Sequence, residues 1–159
     1  MTFEDHNLNS DNMHVRRASV ADIPHLIHFT LEEAKEAEGI ELSPKSLELG
    51  ISRAIEDDSK AMYWVLVDDE DAPVGSISIF REWSDWQAGY YWWIQSIYLT
   101  HGQRGKGRIS LLLDEVKSEM SRQKGLELRL YVHRDNKVAI RAYEKAGFKD
   151  LDYRIMRSK

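Results

Sequence analysis

The 159 residues contain no cysteine. That one absence removes disulfide scaffolds, thiolate nucleophiles and Cys-bound zinc, and it fits a reducing cytoplasm. Long apolar runs are missing too. Nothing spans a bilayer and nothing near the N-terminus reads as a signal segment, so no membrane partner is expected. There is no basic excess: 22 Lys and Arg face 27 Asp and Glu, a net charge of −5. That balance argues against nucleic-acid binding and suits a cationic substrate. Internal repeats and linker-like stretches are also absent, which leaves one domain long enough for a real core. Residues 1–13 (MTFEDHNLNSDNM) are polar and aperiodic, the pattern of a disordered tail, with a single domain over 14–159.

What is present reads as alternating elements. His14–Ala18 is a short strand. Asp22 can cap a helix whose apolar face is Ile23, Leu26, Ile27, Leu31 and Ala34, ended by Gly39. Ser43-Pro44 opens a second helix with Leu47, Ile51, Ala54 and Ile55 on one stripe. Tyr63–Val67 is nearly all apolar, as a strand covered on both faces should be, and Val74–Phe80 is its hairpin partner, with Gly75 at a bulge. Glu82–Gly89 reads as a loop and Tyr90–Leu99 as a third long strand. Ile109, Leu112, Leu113, Val116 and Met120 keep helical spacing up to a stop at Gly125, and Leu126–Val132 alternates with period two. Asp135 or Asn136 can cap a last helix closed by Gly147, and Phe148–Met156 returns as a final strand or hairpin. The order implies an α/β domain with a mixed sheet, hairpins first and βα units later.

The centre of this pattern is Trp92–Met120, a buried strand followed by the basic glycine turn QRGKGR and at once by a helix. A helix start leaves N–H groups unpaired, and glycines let that backbone approach an anion, so the stretch is built to hold phosphate. It is not a Walker loop: Thr100 stands where the first Gly is needed and Gly107 where Ser or Thr is needed. It is not a dinucleotide fingerprint, because Ser110 replaces the third glycine and the turn comes after several strands.

RGKGRI resembles the acetyl-CoA loop of the GCN5-related N-acetyltransferases (GNAT), whose pattern is Arg or Gln, two residues, Gly, one residue, then Gly or Ala. Arg104 and Gly107 match, and Ile109 departs from the small residue usual there. NKVAIRAYEKAGF resembles the family's second signature, an Asn followed seven residues later by Tyr143 and then by Gly147-Phe148. The resemblance covers roughly residues 14–157. It implies the GNAT fold: a mixed central sheet flanked by about four helices and splayed between the strand ending at Leu99 and the strand starting at Leu126.

The resemblance also implies a site. Backbone N–H groups and side chains of Arg104, Gly105, Lys106, Gly107, Arg108, Ile109 and Ser110 would hold the coenzyme's pyrophosphate. Ile97, Tyr98 and Leu99 would pair with its pantetheine arm, with a bulge near Gln95-Ser96 and a Leu99 N–H for the developing oxyanion. Tyr143 is the expected general acid, and Asn136 either contacts the coenzyme or caps its helix. Relatives with a Glu at the position of Gln95 use it as base, which Gln95 cannot be. The remaining carboxylates and imidazoles are Glu82 (the first choice), Asp85, Glu33 and His133. EWSDWQAGYYWW holds four of the five tryptophans. They are expected to fill core and a homodimer contact, or, as Trp83 and Trp86 with Glu82, Asp85 and Gln95, to bind the acceptor. The reading is therefore a cytoplasmic, acetyl-CoA-dependent N-acetyltransferase without metal. It would act on a small amine by direct transfer in a ternary complex. The alternative is a non-catalytic acyl-CoA-binding or sensing module on the same fold.

Overall fold

A computed structural model describes residues 12–159. The tail expected over residues 1–13 lies outside them except for its last two residues, and Met13 already packs against the core. The elements are β1 (His14–Arg17), α1 (Ile23–Glu38), α2 (Pro44–Ile55), β2 (Met62–Val67), β3 (Pro73–Ser84), β4 (Gly89–Leu99), α3 (Ile109–Arg122), β5 (Glu127–Leu130) and α4 (Lys137–Lys145). The sheet runs in chain order, antiparallel from β1 to β4 and parallel between β4 and β5. Among the described residues no helix is long and apolar enough to cross a membrane.

All six residues of β2 are buried, because helices cover both faces of the sheet. On one face Tyr63, Val65 and Val67 meet Leu26 of α1 and Ile51 and Ala54 of α2. On the other, Trp64, Leu66, Ile77, Ile79, Trp92 and Ile94 meet Leu112, Leu113 and Val116 of α3. Each such Leu, Ile or Val contributes roughly 1.5–3 kcal/mol by leaving water. α2 starts as its sequence predicts, with the Ser43 hydroxyl accepting from the Ser46 N–H. Gly39 and Gly147 end α1 and α4 in left-handed conformations.

Five expectations are corrected. Asp22 stands at the N-cap of α1 but its side chain makes no bond into that helix. Its carboxylate accepts from the Ser19 N–H at 2.7 Å and pairs with the Arg16 guanidinium at 2.8 Å, because Arg16 on β1 faces it in a site only 4% exposed. Gly125 is not the left-handed stop of α3. Lys124 takes the positive φ, and Gly125 is needed for room, since a Cβ there would lie 2.7 Å from Trp92 Nε1. The loop expected over Glu82–Gly89 shrinks to a turn, because the edge-to-face pair of Trp83 and Tyr90, 5.0 Å apart, carries the β3–β4 ladder to Ser84 and Gly89. The strand expected over Leu126–Val132 stops at Leu130. The final strand expected over Phe148–Met156 does not form, and Lys149–Lys159 lies exposed.

Candidate active site

Two features of β4 open the site. Ser78 pairs with Ser96 and Ile79 with Ile94, so Gln95 is an extra residue without a partner, a bulge where one was expected. The extra residue reverses the side-chain alternation. Trp92 and Ile94 before it, and Ile97 and Leu99 after it, therefore share one core cluster. Hydroxyls of Ser78 and Ser96, 2.7 Å apart, pin the two strands there. β5 pairs with β4 only from Tyr91 to Ile94, which leaves the β4 edge from Gln95 onward without a strand beside it. Ile97 and Leu99 turn their backbone groups to that open edge. The Ile97 N–H donates to Glu33 Oε1 at 3.2 Å, and the Leu99 carbonyl accepts from Arg104 Nε at 2.9 Å. Gly75 sits against this strand end, where a Cβ would lie 2.8 Å from the Tyr98 carbonyl oxygen.

The glycine turn follows. Gly105 and Gly107 have φ of +73° and +71°, a region that L side chains rarely enter. Among the described residues, the N–H groups of residues 105–109 make no backbone hydrogen bond, so five successive donors stand at the start of α3. That is the donor set a pyrophosphate needs. The side chains divide differently from the sequence expectation. Lys106 is exposed and Arg108 is buried. The Arg104 guanidinium binds Glu36 at 2.9 Å and lies over the Tyr98 ring, fixing the turn to α1 and β4. Ile109 packs against the core, so its size does not crowd the donors, and Ser110 bonds back to the Gly107 carbonyl.

Where β4 and β5 part, a cavity of about 660 Å³ reaches from α1 and α2 to α4. Glu33, Gln95, His133, Asn136 and Tyr143 line it. Burial raises the Glu33 carboxyl from 4.5 to about 7, against the opposing Ile97 hydrogen bond and with help from the charges of Glu38 and Glu36. Burial, and then the charge of Glu33, push the Tyr143 phenol up to about 12. A carboxylate half-ionised near neutrality and a phenol held protonated thus face one space, a base and an acid set apart by their surroundings. Asn136 caps α4, accepting from the Ala139 N–H at 3.2 Å, while it also faces the cavity. His133 Nδ1 accepts from the Asp135 N–H.

The tryptophan segment lies elsewhere. Trp92 is core, and Trp93 stacks on Phe80 and Tyr131. Trp83 and Trp86 are 56% and 87% exposed at the far end of the β3–β4 hairpin. At about 3.3 Å per residue, Asp85 and Trp86 are roughly 20 Å along the strand from Gln95. Glu82 pairs in register with Tyr91 and accepts from Trp93 Nε1 at 3.4 Å. None of Glu82, Trp83, Asp85 and Trp86 reaches the cavity, whereas Gln95 does. In the sequence Glu33 stood behind Glu82 among four candidate bases; only the packing of α1 over the opened edge singles it out.

The family model described as the acetyltransferase (GNAT) family matches residues 25–148. Among solved structures, a possible acetyltransferase from Clostridium difficile 630 is 31% identical, with a TM-score of 0.87 over 94% of this chain and 98% of that one. A predicted acetyltransferase with acetyl-CoA from Clostridium acetobutylicum is 20% identical, with a TM-score of 0.76 over 92% and 96%. The aminoglycoside N-acetyltransferase AAC(6')-Iy in complex with CoA is 11% identical, with a TM-score of 0.77 over 92% and 94%; these last two share the fold. Among curated proteins there is no match.

Proposed function

The chain belongs to the acetyltransferase (GNAT) family, and from that premise we propose that it moves the acetyl group of acetyl-CoA onto a primary amine of a small molecule. The observation that carries the reading is the meeting of Glu33 and Tyr143 in a cavity that borders the open edge of β4. The five free N–H groups at residues 105–109 fit a pyrophosphate, and the Ile97 and Leu99 backbone, which no strand flanks on that edge, fits an amide-bearing arm once the Glu33 and Arg104 side chains give way. When bound, the coenzyme supplies the activated acetyl thioester. The chain's own residues do the rest. A primary amine with a pKa of about 10.4 arrives protonated, and Glu33 takes its proton. Gln95 cannot, and Glu82 is too far. The Leu99 N–H, on the same edge as that of Ile97, stabilises the carbonyl oxygen. The Tyr143 hydroxyl supplies a proton to the departing sulfur, and the proton that the attacking nitrogen sheds on becoming an amide returns the phenol to its protonated state. With no cysteine to carry an acyl group, transfer is direct, in a ternary complex.

The cavity speaks for a small cationic acceptor. Glu33 and Glu38 give it negative charge, and Leu47 and Ile51 of α2 give it an apolar wall. Calorimetry with acetyl-CoA should show binding, and thiol release should appear across part of a panel of small amines. No binding at millimolar coenzyme sinks the reading. Binding without turnover on any amine, peptide or aminoglycoside would make the protein an acyl-CoA-binding module instead.

A further inference from the structure

The two ends of the cavity differ in chemistry. At one end Glu33 accepts from the Ile97 N–H, and Glu38 adds a second carboxylate to the lining. Tyr131 lines the same space at the other end. It follows Leu130, which pairs with Ile94, so it stands beside the bulge at Gln95. Ile97 lies two residues beyond Gln95, or roughly 7 Å of strand. Tyr131 is also the outermost of three stacked rings. Phe80 lies on Trp93 with centroids 6.1 Å apart, and Trp93 lies on Tyr131 at 4.5 Å and 18° between planes. Trp93 is buried and its indole N–H donates to Glu82, so the stack is held from behind. Tyr131 itself is 55% exposed: one face of its ring meets Trp93 and the other is open. The other tyrosines of the cavity offer no such face, since Tyr63 is buried and Tyr143 packs on Phe148. Lys60, paired with Asp57, adds a cation to the lining, which opposes a second ammonium group in the ligand.

We propose that Tyr131 selects the acceptor, and that the acceptor is an arylethylamine, a primary amine two carbons from a flat aromatic ring. Its ammonium group meets Glu33 and its ring lies on the open face of Tyr131. Ring on ring gains more than an aliphatic group of equal size, because a negative face and a positive edge are matched in offset or edge-on contact. Tyr131 is already held by Trp93, so it loses little freedom when a second ring covers it. The roughly 7 Å of strand between Gln95 and Ile97 suits the short reach from such a ring to its nitrogen. The part played by Glu33 rests on the acetyltransferase reading; the ring platform does not.

Steady-state thiol release separates the possibilities. The full chain is given 2-phenylethylamine and 2-cyclohexylethylamine, which have equal carbon counts and differ in flatness, with spermidine as a polycation. kcat/KM should be about tenfold higher for the phenyl than for the cyclohexyl compound, and spermidine should fall below both. Tyr131→Phe should keep that ratio. Tyr131→Leu should bring it to about one, chiefly by raising KM for the phenyl compound; a merely structural role would penalise both compounds alike. A wild-type ratio near one, a preference for spermidine, or a ratio that survives Tyr131→Leu overturns the proposal. If no amine is acetylated, the functional reading fails and calorimetry of the same two amines with the CoA-loaded chain decides the platform. Tighter phenyl binding that Tyr131→Leu abolishes upholds it, and equal affinities overturn it.

Discussion

Glu33 is an ordinary surface-looking glutamate in the sequence and, in the fold, a carboxyl raised by burial to about 7, the base proposed above. Replacing it by Gln keeps the Ile97 N–H satisfied, since the amide oxygen still accepts. Glu33→Gln should therefore lower kcat by about 10²-fold or more with little change in acetyl-CoA affinity, measured by steady-state kinetics and calorimetry. The carboxyl held up at about 7 acts only when ionised, so wild-type kcat/KM should rise through neutral pH with a limb near 7. Glu33→Gln should lose that limb. Tyr143→Phe removes one hydroxyl and keeps the ring packed on Phe148. Coenzyme affinity should persist while turnover falls by roughly tenfold to a hundredfold. A variant with unchanged turnover would remove Tyr143 from the acid role.

At the scale of elements, the β4 bulge, the glycine turn and the start of α3 form one device. One extra residue at Gln95 ends the β4–β5 ladder, and two left-handed glycines aim the next free donors. A Cβ at Gly107 meets nothing within 4 Å, so Gly107→Ala brings no collision. It brings only the cost of a left-handed alanine, roughly 1–2 kcal/mol, which the turn relieves by rotating its N–H groups. Acetyl-CoA affinity should fall about tenfold with the fold intact, read by calorimetry and circular dichroism. Gly125→Ala tests the opposite case. Its φ is ordinary, but its Cβ would strike Trp92 and Met120 in the core. Denaturation should show about 1–3 kcal/mol of lost stability with unchanged coenzyme affinity.

At the scale of the whole molecule, Glu33 ties the proposed chemistry to stability. Its folded pKa of about 7 exceeds the ordinary 4.5, so the native state binds this proton more tightly than the unfolded chain does. Stability from this group is then full below about pH 4.5 and is lost as the pH rises through about 7, by at most roughly 3–4 kcal/mol. Glu33→Gln should match or exceed the wild type in urea midpoint at pH 8, and the difference should shrink toward pH 5. The reverse ranking would mean that the carboxylate is stabilising where it sits. Asp22 titrates the other way. Burial pushes its pKa up, but the Arg16 guanidinium and the Ser19 N–H together outweigh that and hold it below 3.8, so its support is lost as the pH falls through that lowered value.

The sequence by itself determined most of the elements and the glycine turn proposed to hold the coenzyme. Helical and strand periods, Ser43 and Asn136 as caps, and the two glycine signatures are local patterns, and local backbone chemistry decides them. The acceptor half was not legible. Glu33 is on α1, sixty-four residues before Ile97, and only packing across the opened sheet brings the two together and buries the carboxyl. The tryptophans erred in the other direction: their composition suggests a binding loop, but cross-strand pairing extends the hairpin and carries Trp83 and Trp86 away from the cavity. The final strand marks the limit of both. Its alternation is plain in the residues, yet a strand exists only where an edge accepts its hydrogen bonds, and within one chain Leu151–Ile155 meets none.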